Sequence, residues 1–88
     1  MTRRERIETK LLADFTPVAI RVVDESAQHA GHSGASDAGE THYDVAMESS
    51  AFIGLSRVAR ARAVHEALAG EFSSGLHALA LKLRAPGE

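Results

Sequence analysis

Phe52 to Leu83, reading FIGLSRVARARAVHEALAGEFSSGLHALALKL, decides the fold of this 88-residue chain. The stretch passes from a turn through a basic, amphipathic helix into a strand that opens at His77. Ser56 is placed to cap the helix, which the pattern carries to about Glu71. At 100° per residue Val58, Ala61, Val64, Leu68 and Phe72 share one arc, a stripe expected to pack on a sheet. Ser73, Ser74 and Gly75 end the helix. The strand LHALALKL then alternates, with His77, Leu79, Leu81 and Leu83 on one side and Ala78, Ala80, Lys82 and Arg84 on the other. The tail from about residue 84 to 88 reads as frayed.

Working outward from that stretch, Tyr43, Val45 and Met47 alternate with His42, Asp44, Ala46 and Glu48, the period-2 pattern of a strand with one solvated face. Before it, residues 25–40 are rich in Gly, Ser and Ala without apolar periodicity, and so long a loop in a small domain is usually functional or mobile. Earlier still, VAIRVVD is β-branched and reads as a strand, with Val18, Ile20 and Val22 on one face and Ala19, Arg21 and Val23 on the other. Pro17 separates it from a first helix over about Arg3–Asp14, where Thr2 and Glu5 form a capping-box pattern and Ile7, Leu11 and Phe15 recur every four residues. The connection from strand two through the long helix to strand three is a βαβ crossover, which makes those two strands parallel. The expected fold is α/β, a two-layer sandwich in α-β-β-α-β order with a mixed three-stranded sheet. Both helices cover one face, and Arg21, Asp44, Glu48 and Lys82 lie on the open one. No repeat or linker divides the chain, which reads as a single domain over 1–88.

Composition narrows the function. A chain of 88 residues with 44% hydrophobic content builds one small core, burying about 60 to 65% of the surface its unfolded form exposes. The net charge of -2 supplies no global positive field for nucleic acid, so any basic patch must be local. Cysteine is absent, which leaves no thiolate nucleophile, disulfide or cysteine metal ligand on the chain itself. The charged N-terminus MTRRERIETK has no apolar run after it, so neither a signal peptide nor a membrane span is expected, and a cytoplasmic location is the default.

Three groups of residues carry candidate chemistry. The first is the five histidines, His29, His32, His42, His65 and His77. Imidazole is a common metal ligand, but the spacing of His29 and His32 matches no zinc motif and equally suits a solvated loop. His65 falls inside the apolar arc of the helix and reads as a packed histidine. His77 stands where strand three begins, at the end of the sheet that the His29 loop reaches, so the two can approach one another. The second group is Arg57, Arg60 and Arg62. Arg57 and Arg60 share a side and Arg62 projects on the far flank, where it can pair with Glu66, so no single basic stripe forms. Only Tyr43 remains as an aromatic for stacking on bases, and GLSR lacks the second glycine of a GXXG clamp. The third is a Ser-His-Asp grouping that can be drawn from Asp24, Ser26 and the loop histidines. It has no oxyanion hole or pocket, and the chain reads as no enzyme.

Taken together, DES at 24–26, ETHYDV at 40–45, FIGLSRVARARAV at 52–64 and above all LHALALKL at 76–83 resemble the BolA family, over nearly the whole chain. The resemblance implies an α/β sandwich similar to class II KH domains. It also implies a partner for monothiol glutaredoxins that shares a glutathione-ligated 2Fe-2S cluster, in iron-sulfur cluster maturation, trafficking or iron regulation. By position the family's C-terminal ligand falls on His77 and its loop ligand on His29, with His32 the alternative in the same loop. The alternative function implied is a DNA-binding transcriptional regulator that uses the basic helix 56–71, with Arg57, Arg60 and Arg62 toward the nucleic acid. In that helix Ala61 stands where family members often have a histidine.

Overall fold

A computed structural model describes residues 1–25 and 41–88. The elements are α1 (Arg3–Phe15), β1 (Ala19–Asp24), β2 (His42–Glu48), α2 (Arg57–Ala67), α3 (Ala69–Ser73) and β3 (Ala78–Arg84), with a 3-10 turn at Ser50–Phe52. The sheet order is β1-β2-β3. β1 runs antiparallel to β2 with Val22 opposite Val45, and β3 runs parallel to β2 with Val45 opposite Leu81. This is the mixed three-stranded sandwich expected, with the long helix divided in two.

Local chemistry explains the boundaries. The Thr2 hydroxyl accepts from the Glu5 amide and the Glu5 carboxylate accepts from the Thr2 amide, so the first orphan donors of α1 are satisfied. Thr16, in the left-handed region at φ 40°, closes the helix by donating to Leu12, and Pro17 cannot extend it. Ser56 caps α2 by accepting from the Ala59 amide. At Leu68 the backbone leaves helical geometry (φ -101°, ψ 14°), which divides α2 from α3.

The core lies between the helices and one face of the sheet. Ile7, Leu11 and Phe15 of α1, Val22, Tyr43, Val45 and Met47 of the sheet, and Phe52, Val64, Leu68 and Leu76 are buried together, with Leu79, Leu81 and Leu83 packed against them. The four-residue spacing in α1 puts Ile7 and Leu11 fully inside.

Several sequence expectations change. Val18 precedes β1 and is 70% exposed, because only its amide joins the sheet, donating to Glu48. Val58 is 59% exposed, since the buried side of α2 runs through Arg60 and Val64 toward Leu68 and leaves Val58 beyond its rim. His65 is exposed rather than packed in the stripe, with its ring stacked on Phe72 at 5.1 Å. Tyr43, 2% exposed, is a core residue and offers no stacking surface. The tail does not fray: Ala85 is buried, and the Glu88 carboxylate accepts from Arg60 and from the Ala85 amide.

Candidate functional site at the head of strand three

The parallel pairing of β2 and β3 sets their N-terminal ends side by side, and the antiparallel pairing brings the C-terminal end of β1 to the same place. Three backbone bonds close this end of the sheet. The Glu25 amide donates to His42 (2.8 Å), and the amides of His77 and Ala78 both donate to the Thr41 carbonyl (2.8 and 3.1 Å). Thr41 is 7% exposed, so the carbonyl that holds His77 sits at the edge of the core.

Two imidazoles meet at this end. The rings of His42 and His77 are edge to face, with centroids 6.0 Å apart and an interplanar angle of 61°. The Thr41 hydroxyl and Nδ1 of His42 share a hydrogen bond of 2.9 Å, which orients that ring. His77 is exposed and His42 half-buried. A depression of about 510 Å³ adjoins His42, lined also by Glu25, Asp44, Ala78 and Ala80. The larger depression, about 660 Å³, lies toward the far end around Arg57, Ala61, Leu83 and Arg84. Among the described residues no three ligating side chains gather closely enough to hold an ion. His29 and His32 lie outside the described residues, in the segment that leaves β1 after Glu25 and rejoins β2 at Thr41.

The arginines separate. Arg57 and Arg62 are exposed, but Arg60 is 8% exposed and is a structural residue. Its guanidinium grips both Glu88 oxygens (2.6 and 2.5 Å), donates to the Leu55 and Leu83 carbonyls, and lies 5.9 Å from the Phe52 ring centroid. The expected Arg62–Glu66 pair is not among the helix ion pairs of the described residues, which join Arg4 to Glu8 and Lys10 to Asp14.

Sequence reasoning named His42 without assigning it a place beside His77. The strand register was the available signal, since His42 pairs with Ala78. It missed Arg3 and Glu71, whose contact spans 68 residues and leaves no local trace.

Such a domain, with helices on one side of a mixed sheet and His42 and His77 at the heads of its parallel strands, is a small α/β module, and no helix among the described residues is long and apolar enough to cross a bilayer. The family model described as BolA-like protein matches residues 11–88, and the chain belongs to the BolA family. It is 49% identical, over the whole chain and 96% of the relative, to a Sinorhizobium protein described only as an uncharacterized protein in the cobS 5' region. It is 44% identical to the Escherichia coli DNA-binding transcriptional regulator BolA, over 92% of this chain and 73% of that one. The solved BolA domain of SufE1 from Arabidopsis thaliana superposes with a TM-score of 0.88 at 42% identity, covering 98% of this chain and 94% of the domain. The chain spans only 24% of the length of the Arabidopsis SufE-like protein 1, at 43% identity over 99% of this chain.

Proposed function

We propose that this chain is a non-enzymatic partner of a monothiol glutaredoxin, sharing with it and with glutathione a 2Fe-2S cluster in iron-sulfur maturation, trafficking or iron regulation. One observation carries the reading. The exposed imidazole of His77 stands at the end of the sheet where the segment bearing His29 and His32 departs and returns, and both junctions are pinned by backbone hydrogen bonds. The donor set fits: the chain offers imidazoles and no thiol, so the sulfur ligands would come from glutaredoxin and glutathione. When bound, such a cluster supplies a one-electron centre whose potential imidazole ligation raises above that of all-thiolate ligation. His77 and a loop histidine, His29 first and His32 as its alternative, would hold it, and Thr41 fixes the backbone from which His77 projects.

The test is to mix the chain with cluster-loaded monothiol glutaredoxin and glutathione and follow visible circular dichroism. Wild type is expected to change the spectrum. His77→Ala is expected to abolish cluster retention by the mixed complex with the fold intact, and one of His29→Ala and His32→Ala to do the same. A normal cluster spectrum from His77→Ala would end the assignment.

The name of the Escherichia coli relative supports a second reading, DNA binding through α2. Because Arg60 is committed to Glu88, the exposed cations of that helix are Arg57 and Arg62. Neutralising both is expected to weaken any DNA binding uniformly across sequences and to flatten the salt dependence by about one unit of slope per lost phosphate contact. Loss confined to one sequence would instead indicate base readout by these residues.

A further inference from the structure

The turn that delivers His77 to the sheet is held by the other end of the chain. α3 is a single short helix whose C-terminal turn is closed by the Ser74 and Leu76 amides, both donating to the Glu71 carbonyl. Arg3 binds the same turn. Its Nη1 donates to the Glu71 carbonyl (3.0 Å), the Glu71 carboxylate (2.7 Å) and the Ser74 hydroxyl (2.9 Å), and its Nη2 donates to the Ser74 carbonyl (3.0 Å). Arg6 takes the remaining side of the same carboxylate, with Nε and Nη2 each at 3.0 Å. The Arg3 side chain is 9% exposed and that of Glu71 16%, so water competes little for these bonds.

Immediately after this clamp the chain has almost no freedom. Gly75 adopts φ +125°, a left-handed conformation that disfavours side chains, and a Cβ there would stand 3.2 Å from Arg3 Nη2. The Leu76 amide returns to the Glu71 carbonyl at 2.9 Å, the Leu76 side chain is buried, and the next amide, that of His77, donates to Thr41. Residues 74–77 are thus fixed from α1 on one side and from β2 on the other, while the His77 ring stays in solvent.

We propose that Arg3, braced by Glu71 and Arg6, is a positioning residue for His77, holding its backbone so that the imidazole is presented in one direction to a metal centre. The proposal rests on the reading of His77 as a ligand and extends it to residues that touch no ligand. A guanidinium fork aimed at two carbonyls, a hydroxyl and a carboxylate fixes direction as well as distance, and a ligand must be held to within about 0.5 Å for coordination to be reproducible.

The test uses the full chain, with Arg3→Gln, Arg3→Lys and Ser74→Ala, and two readouts. In the chain alone, amide hydrogen exchange is measured at Leu76 and His77 against Val45 in the core. Arg3→Gln is expected to speed exchange at Leu76 and His77 by about tenfold relative to Val45. Arg3→Lys, which keeps the charge and loses the fork, is expected to recover only part of this. Exchange that rises equally at His77 and Val45 would show a role in global stability alone and overturn the proposal. If Arg3→Gln does not fold, Ser74→Ala removes one acceptor of the clamp, the Ser74 hydroxyl, and carries the same comparison. In the mixed complex with cluster-loaded glutaredoxin, Arg3→Gln is expected to alter the visible circular dichroism although all histidines are present; an unchanged spectrum would also overturn the proposal. A wild-type chain that takes no cluster at all would defeat the proposed function, whereas the exchange experiment tests the clamp separately.

Discussion

β3 is fastened at both ends by a buried arginine, and the two fastenings differ in what they grip. At its head, Arg3 binds the Glu71 carboxylate, which belongs to a helix within the folded body and is also held by Arg6. At its foot, Arg60 binds the carboxylate of Glu88, which is 45% exposed and sits on the tail. Both guanidiniums also hold backbone carbonyls, so the geometry of each turn is fixed in either case. The difference lies in how far each closing carboxylate is shielded from water. The head, with the histidines, is closed by a carboxylate that two arginines share inside the fold, while the foot is closed by one that water and protons reach. The ligand role proposed for His77 calls for the first kind of anchorage; a tail that only covers the sandwich end is served by the second.

The comparison is tested most severely at the foot, through Phe52. This ring is fully buried, packs on Phe15 with centroids 5.4 Å apart and lies beneath Arg60. Phe52→Ala is expected to cost about 3–4 kcal/mol in urea-induced unfolding, from lost transfer energy and the cavity left behind. If the ends are independent, the folded fraction keeps its cluster spectrum with glutaredoxin; loss of that spectrum under native conditions would show that foot and head are coupled.

A smaller change probes the same end without touching a charge. Ser49 is fully buried, donates to the Phe15 carbonyl at 2.6 Å and accepts from the Ala51 amide at 3.1 Å, joining the C-terminus of α1 to the turn after β2. Ser49→Ala strands a buried acceptor and is expected to lower stability by about 1–2 kcal/mol. A loss below about 0.5 kcal/mol would mean that water replaces the hydroxyl there.

How far the sequence carried this picture depends on the range of the interaction involved. The capping box at Thr2, the Ser56 cap and the alternation in all three strands are local, and each was legible from spacing. The stripe on α2 was misplaced by counting Val58 as buried, because a helix with so many alanines offers little contrast between its faces and the long stem of Arg60 fills the position that pattern reasoning reserves for an apolar side chain. Arg60 thereby moved from the candidate DNA surface to the structure of the foot. The approach of His42 to His77 was open to a register argument, but the Arg3 clamp was not, since two exposed-looking charges at positions 3 and 71 carry no sign of each other. His77 could be placed from the strand it begins, whereas His29 and His32, the loop ligands proposed beside it, fall outside the described residues.

The smallest effect is the most specific to the difference between the ends, and it is read through pH. Hydrogen bonds from Arg60, and then from the Ala85 amide, pull the Glu88 carboxyl down from its ordinary 4.5 to about 2. A depressed carboxyl contributes in full where it is ionised in both states, so its contribution is complete above about pH 5, shrinks progressively as pH falls below 4.5, and is lost once pH drops below the folded value of about 2. Glu71 is likewise held below the usual carboxylate range, chiefly by Arg6, and loses its own contribution in the acid range. The discriminating quantity is therefore the stability of wild type minus that of Glu88→Gln, followed from pH 7 to 2. It is expected to be small and constant above pH 5 and to shrink toward zero over the acid window, with amide exchange at His77 relative to Val45 the same in wild type and Glu88→Gln at each pH. A difference curve flat across that window would mean that the Glu88 carboxylate contributes nothing to folding, and the contrast between the two ends of β3 would then rest on Arg60 and its carbonyls alone.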